Sequence, residues 1–318
     1  MNVGIESAGF RHMNVIRSYL RIIRYPLFAI PIVATLPGAL IASSGQLSWR
    51  VGLALITALL GYFAGMMKND YFHQDRDEIV NPHRPIPSKD LSSRQVLVSA
   101  STIYILCVVF GFMLNYKAGL LVIFLVMISH LYNAILSRYG VWGSISLPIG
   151  IGTLSVFGAV AVSGQVPRLV WYAFAATALY DFGTHIITTF KDIELDRRVG
   201  VLSTPLQLGV WPALVLSAVA TFFSFGVVVL PYWTESVSWH YISWVILASV
   251  ATIVARIPLY IDPNEKNGYL ALKGSMVGAI VFFPCLIGVK LTFWQSALII
   301  LPLLLLTLTL LEISKQKV

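Results

Sequence analysis

Charge is scarce in this chain. Of its 318 residues only 11% are Asp, Glu, Lys or Arg, where a soluble domain carries about a quarter. A large water-facing surface is therefore excluded. Cysteine is rarer still: Cys107 and Cys285 both fall in apolar stretches, which excludes a disulfide framework and leaves them as small core residues. No cleavable signal peptide is expected, because residues 1–24 intersperse Arg11, Arg17, Arg21 and Arg24 with Ile, Leu and Tyr. That is the pattern of a cytoplasmic amphipathic helix lying in a membrane interface. No G-x-S-x-G elbow occurs, so nothing points to a covalent serine nucleophile.

Apolar residues are abundant at 57%. They form ten runs of about twenty residues, near 25–44, 50–68, 96–115, 118–137, 141–162, 168–190, 208–231, 239–260, 270–289 and 292–312. Each run is long enough to cross a hydrocarbon core of roughly 30 Å. The expected fold is all-α, a polytopic membrane bundle in which residues 25–318 form one domain. The net charge of +8 suggests a nucleic-acid binder only until the charges are placed. With the N-terminus in the cytoplasm, eighteen of the 22 cations fall on the cytoplasmic side, and Arg50, Lys117, Arg168 and Lys290 on the other. The basic balance sets topology; no nucleic-acid partner is expected.

The positive-inside rule says nothing about acids, yet Glu235 is the sole Asp or Glu on the outer side. The rest gather on the cytoplasmic face, apart from Asp181 within a span, and chiefly in two loops, 69–95 and 191–207. Each loop opens with acids at a helix end, KNDYFHQDRD at 68–77 and KDIELDRR at 191–198. The same device four spans apart suggests two corresponding halves facing each other across a central cavity. If the second span continues helically, Asp70, His73 and Asp77 share a face, with Asn69 beside them. Asp192 and Asp196 stand at i, i+4. Like charges at that spacing make sense around a divalent cation, and an oxygen donor set suits Mg²⁺. Lys68, Arg84, Lys191, Arg197 and Arg198 flank the two patches, as a diphosphate requires. A diphosphate site over a greasy chamber points to an isoprenoid diphosphate with its tail among apolar helices.

The stretch NDYFHQDRDEIVNPHRPIPS resembles the first signature of the UbiA superfamily of intramembrane prenyltransferases, NDxxDxxxD followed by RPIPSG. KDIELDRRVG resembles the second, DxxxD followed by a basic pair and Gly. The resemblance implies a bundle of usually nine spans, with a metal-bound prenyl diphosphate at a cytoplasmic cap. It places Asn69, Asp70, Asp77, Asp192 and Asp196 at the metal-site positions, and Arg84 and Lys191 near the diphosphate. It also implies roles near the substrate for Tyr132 and Arg138. Three departures stand out: His73 replaces the middle aspartate, Leu195 a glycine, and RPIPSG is RPIPSK. Asp75 could take over from the missing carboxylate only by local unwinding. His73 could ligate metal, act outside the first coordination shell, or be structural.

Polar residues inside spans are functional candidates. Asp181 and His185 share a face of the sixth span, and Asp181 lies about 16 Å along an ideal helix from Asp192. That depth suits the acceptor end of the cavity. A buried pair locking helices together is the alternative. His130 fits a helix–helix contact. The expected activity is Mg²⁺-dependent transfer of a prenyl group to an aromatic or lipid acceptor in the membrane. The alternatives are a membrane terpene cyclase and a non-catalytic lipid binder or transporter.

Overall fold

The structure is a computed structural model and describes residues 15–235 and 237–314. Arg11 and the rest of residues 1–14, and Lys315 and Lys317, lie outside the described residues. Ten long helices follow one another: α1 (Ala29–Ala42), α2 (Trp49–Phe72), α3 (Ser93–Leu114), α4 (Tyr116–Ala134), α5 (Val141–Ser163), α6 (Arg168–Phe190), α7 (Val210–Val229), α8 (Ile242–Ile261), α9 (Glu265–Phe282) and α10 (Phe293–Ser314). Among the described residues nine segments are long and apolar enough to cross a membrane. The tenth, α6, has the same length but carries Asp181, His185 and several threonines, so its apolarity falls short. No strand occurs among the described residues, only one isolated bridge between Tyr139 and Leu202.

The helix starts follow local chemistry. Ser48 accepts from the Val51 amide, Asn115 from Ala118 and Asn264 from Asn267, while Ser92 and Gln95 form a reciprocal capping box. These side chains satisfy amides that have no partner inside the helix. Helix α1 runs against α5, α2 and α6 in the interior, α8 pairs with α9, and α6 packs between α5, α7 and α9. Without a hydrophobic drive between helices in lipid, close approach depends on small residues. Gly38 of α1 meets α5 so closely that an added Cβ would sit 1.6 Å from the Ser155 carbonyl oxygen.

Residues 15–22 form a helix with Ile16 and Leu20 exposed and Ser18 and Ile22 buried. Ile22 packs with Met67, Ile86, Leu91 and Val96, and Tyr19 shares a 3.0 Å hydrogen bond with Ser99. This small cluster fastens the 84–91 loop over the ends of α2 and α3, at the same end of the bundle as the 191–207 loop.

Candidate active site

Both acidic patches are built by one backbone device. Helix α2 ends at Phe72 and α6 at Phe190, and a short helix follows each, Gln74–Val80 and Ile193–Arg198. The residues at the breaks, His73 and Asp192, have nearly the same conformation, φ −107°, ψ 11° and φ −116°, ψ 10°. Four residues on, the Asp77 amide donates to the His73 carbonyl and the Asp196 amide to the Asp192 carbonyl, at 2.9 and 2.8 Å. Asp77 and Asp196 are therefore counterparts, and both are buried. The two halves inferred from the charge pattern thus share this local geometry, with His73 standing where the second half has Asp192.

Cations hold the buried carboxylates. The helix does not continue through His73, yet Arg84 donates to Asp77 at 2.6 Å and to Asp70 at 3.4 Å, so one guanidinium joins the two acids across the break. Arg24 reaches the same carboxylate of Asp70 at 3.4 Å and the Asn69 amide oxygen at 3.2 Å. Asn69 in turn donates to Asn133 of α4 at 3.0 Å. Arg76 pairs with Asp196 and so joins the first patch to the second. Lys191 contacts Asp192 at 3.3 Å. Burial pushes the Asp196 carboxyl up to about 6, against the pull of Arg76, and lowers the Lys191 ammonium. Both effects are desolvation disfavouring the charged form.

The connection between α4 and α5 binds the two patches together. Ser137 shares a 3.1 Å hydrogen bond with Nε2 of His73, and Arg138 donates to the Phe72 carbonyl at 3.0 Å. On the other side Gly140 donates to the Leu202 carbonyl at 2.6 Å, and Gln207 accepts from the Val141 amide at 2.9 Å. Gly140 has φ +48°, and a Cβ there would meet Gln207 Oε1 at 2.1 Å. Only glycine suits that position.

Several expected residues are placed differently. Lys68 turns away from Asp70 toward α3 and α4, because two steps along a helix rotate a side chain by about 200°. Arg197 is exposed and pairs with Glu194 at 3.0 Å instead of reaching the patch. Asp75 is exposed and does not replace the missing carboxylate. Arg256, counted with the cytoplasmic charges, is drawn into the bundle, where it donates to Thr184, Thr221 and Ser275. Conversely, the sequence pattern assigned Arg24 and Arg76 to topology alone. Arg24 precedes Tyr25-Pro26 in a left-handed conformation, φ 50°, and its side chain reaches Asp70 and Asn69.

Below the patches, continuing from Asp192 just past the end of α6, one face of that helix carries Thr188, His185 and Asp181 in descending order. All three are half-buried, on a helix packed between three others. His185 bonds Tyr132 through Nε2 and Ser144 through Nδ1, both at 3.1 Å, and Ser144 continues to Thr204 at 2.7 Å. Tyr132, His185 and Asp181 are thus brought to one region, with Asp181 making no hydrogen bond among the described residues.

The oxygen donors Asn69, Asp70, Asp77, Asp192 and Asp196 fit a hard divalent cation by their chemistry. Among the described residues no three acids or histidines converge as a preformed metal site; guanidinium groups hold the carboxylates. His73 is neutral at physiological pH, its imidazolium pKa lowered to about 4 by burial and by Arg76 and Arg138. Its buried Nδ1 has no hydrogen-bond partner.

An all-helical membrane bundle, with two matched acid patches and a ring of cations at one end, defines a class of protein that handles an anionic group above an apolar interior. The sequence pattern of the UbiA prenyltransferase family matches residues 32–277, and the chain belongs to that family. It is 26% identical over 281 residues to digeranylgeranylglyceryl phosphate synthase of Methanosarcina mazei, covering 84% of this chain and 97% of that protein. Its fold resembles that of a UbiA homolog from Aeropyrum pernix K1 in the apo state, with TM-score 0.68 and 22% identity over 84% of this chain and 97% of that one. A UbiA homolog from Archaeoglobus fulgidus bound to GPP and Mg²⁺ gives TM-score 0.67 at 17% identity, covering 86% of this chain and 99% of that one.

Proposed function

We propose that the protein transfers a prenyl group from an isoprenoid diphosphate to a lipophilic acceptor within the membrane, releasing diphosphate on the cytoplasmic side. The observation that carries this reading is the Arg76–Asp196 pair, which holds two equivalent acid patches side by side above the region where Tyr132 and His185 meet near Asp181. The curated relatives act at a glycerophosphate lipid by name, and an acceptor of that class is the one we favour. Asn69, Asp70, Asp77, Asp192 and Asp196 are the groups that would hold Mg²⁺, which when bound neutralises diphosphate charge and so supports its departure.

The chain's own residues supply the rest. Arg24, Arg84, Arg76 and Lys191 stand ready to neutralise the remaining phosphate oxygens. As the C1–O bond breaks, its electron pair leaves with diphosphate, and the acceptor's oxygen or carbon forms the new bond to C1. Apolar helices around this region exclude water from the cation-like C1, and the Tyr132 ring offers it a π face. The acceptor's proton is lost toward Asp181, the free carboxylate at that depth. Catalysis is positioning plus electrostatic support of the leaving group.

The test is Asp70→Ala and Asp192→Ala in purified protein supplied with a prenyl diphosphate, acceptor and Mg²⁺. Loss of diphosphate release in both is expected, and wild-type turnover in either would remove the assignment. Product analysis without acceptor separates a transferase from a cyclase, which would form a terpene alcohol or hydrocarbon by itself.

A further inference from the structure

Lys68 belongs to a second site, outside the diphosphate end. From α2 it lines a lateral cavity of about 440 Å³ together with Ser101 and Tyr104 of α3 and Val126, Met127 and His130 of α4. The residue is only 9% exposed. Among the described residues its ammonium has no carboxylate and no hydrogen-bond acceptor; its neighbour is the Phe72 ring, with Nζ 5.9 Å from the centroid. His130 packs edge-on against the same ring at 5.3 Å. Its stem is buried while Nζ is not enclosed by the chain, so the charge opens onto the cavity without a counter-ion from the protein. The other cation buried to this degree, Arg256, has three hydroxyl partners within 2.8 Å. Lys68 lacks such compensation from the chain.

The flanks of the cavity are lipid-facing. Ile105 and Val109 of α3 and Met127 and Leu131 of α4 are exposed, so the cleft opens sideways between two apolar helix faces. Its cation stands one residue from Asn69, at the level of the acid patches and hence of bilayer headgroups. The chain therefore presents a positive charge with no partner among the described residues, polar neighbours in Ser101 and His130, and apolar rails leading down from them.

We infer that this cleft binds the phosphate head of an anionic phospholipid from the surrounding bilayer, with the phosphate against Lys68 and the acyl chains along Ile105 and Met127. A zwitterionic lipid carries its own cation and gains less from Lys68, so the site selects for net negative charge. It is independent of the diphosphate reading, because Asp70 and Lys68 face in different directions.

The test is native mass spectrometry of the full-length protein, released from nanodiscs of mixed phosphatidylglycerol and phosphatidylcholine. The wild type is expected to retain phosphatidylglycerol about fivefold over phosphatidylcholine. Lys68→Gln should abolish the preference and Lys68→Arg keep it. Met127→Trp, a change at an exposed position, should block the cleft while leaving the charge in place. Lys117→Gln, on a different face, should change nothing. Equal retention of both lipids by the wild type overturns the inference, as does a preference that survives in both Lys68→Gln and Met127→Trp. Displacement of the lipid by millimolar inorganic phosphate would show a site for small anions and overturn the assignment to a lipid.

Discussion

Replacing Arg76 by Met should detach the second acid patch from the first. Arg76 is the side chain that crosses between them, and Asp196, its partner, is 5% exposed. Breaking a fully buried pair costs roughly 3–5 kcal/mol because a bare charge is left behind. Arg76 is itself 25% exposed, so solvent screens part of this, and a loss of about 2 kcal/mol is expected. Asp196 limits the loss by taking up a proton. Its carboxyl is already pushed up to about 6 by burial with the guanidinium present, and removing the guanidinium raises it further. Arg76→Met combined with Asp196→Asn then leaves a neutral pair, and the two losses should not add. The assay is a double-mutant cycle from reversible unfolding in mixed micelles, in EDTA at neutral pH. A coupling energy of about 1–2 kcal/mol is expected. Coupling below about 0.5 kcal/mol would refute the claim that this contact holds the patches together.

The same carboxyl predicts a pH dependence in EDTA. The folded chain binds a proton at Asp196 below about 6 that the unfolded chain releases until the ordinary carboxylate range, so this group's contribution to stability grows as pH falls through that window. Asp196→Asn should flatten this part of the stability–pH curve, and an unchanged slope would contradict it. His73→Asp gives the first patch the carboxylate that its counterpart Asp192 provides. Arg76 and Arg138 lie close enough to favour an anion there. The Mg²⁺ concentration for half-maximal turnover should fall by on the order of tenfold, and no change would place position 73 outside the ligand set. Gly140→Ala forces a side chain into φ +48° and against Gln207. It should cost about 1–3 kcal/mol in the same unfolding assay, with reduced turnover, and wild-type stability would show that this turn does not clamp the 191–207 loop.

The apolar runs and helix-end signals of this chain determined an all-α membrane bundle, and the spacing of Asp70, Asp77, Asp192 and Asp196 determined two acid patches. These features are local: hydropathy, capping and helical periodicity act within about twenty residues. The family signatures are equally local, and His73 was visible as their odd member. The tertiary structure decided which charge meets which. Arg24 looked like a topology signal, yet it reaches Asp70, and Arg76 found a partner 120 residues away. Lys68 was drawn to the patch by proximity in sequence, yet its place on the helix turned it toward lipid. Arg197 stayed with Glu194 at the surface, and Arg256 was pulled among hydroxyls of three neighbouring helices. The physical reason is common to all of them: a long cationic side chain has no preferred partner in sequence, and its partner is chosen by which helix faces packing brings within hydrogen-bond reach.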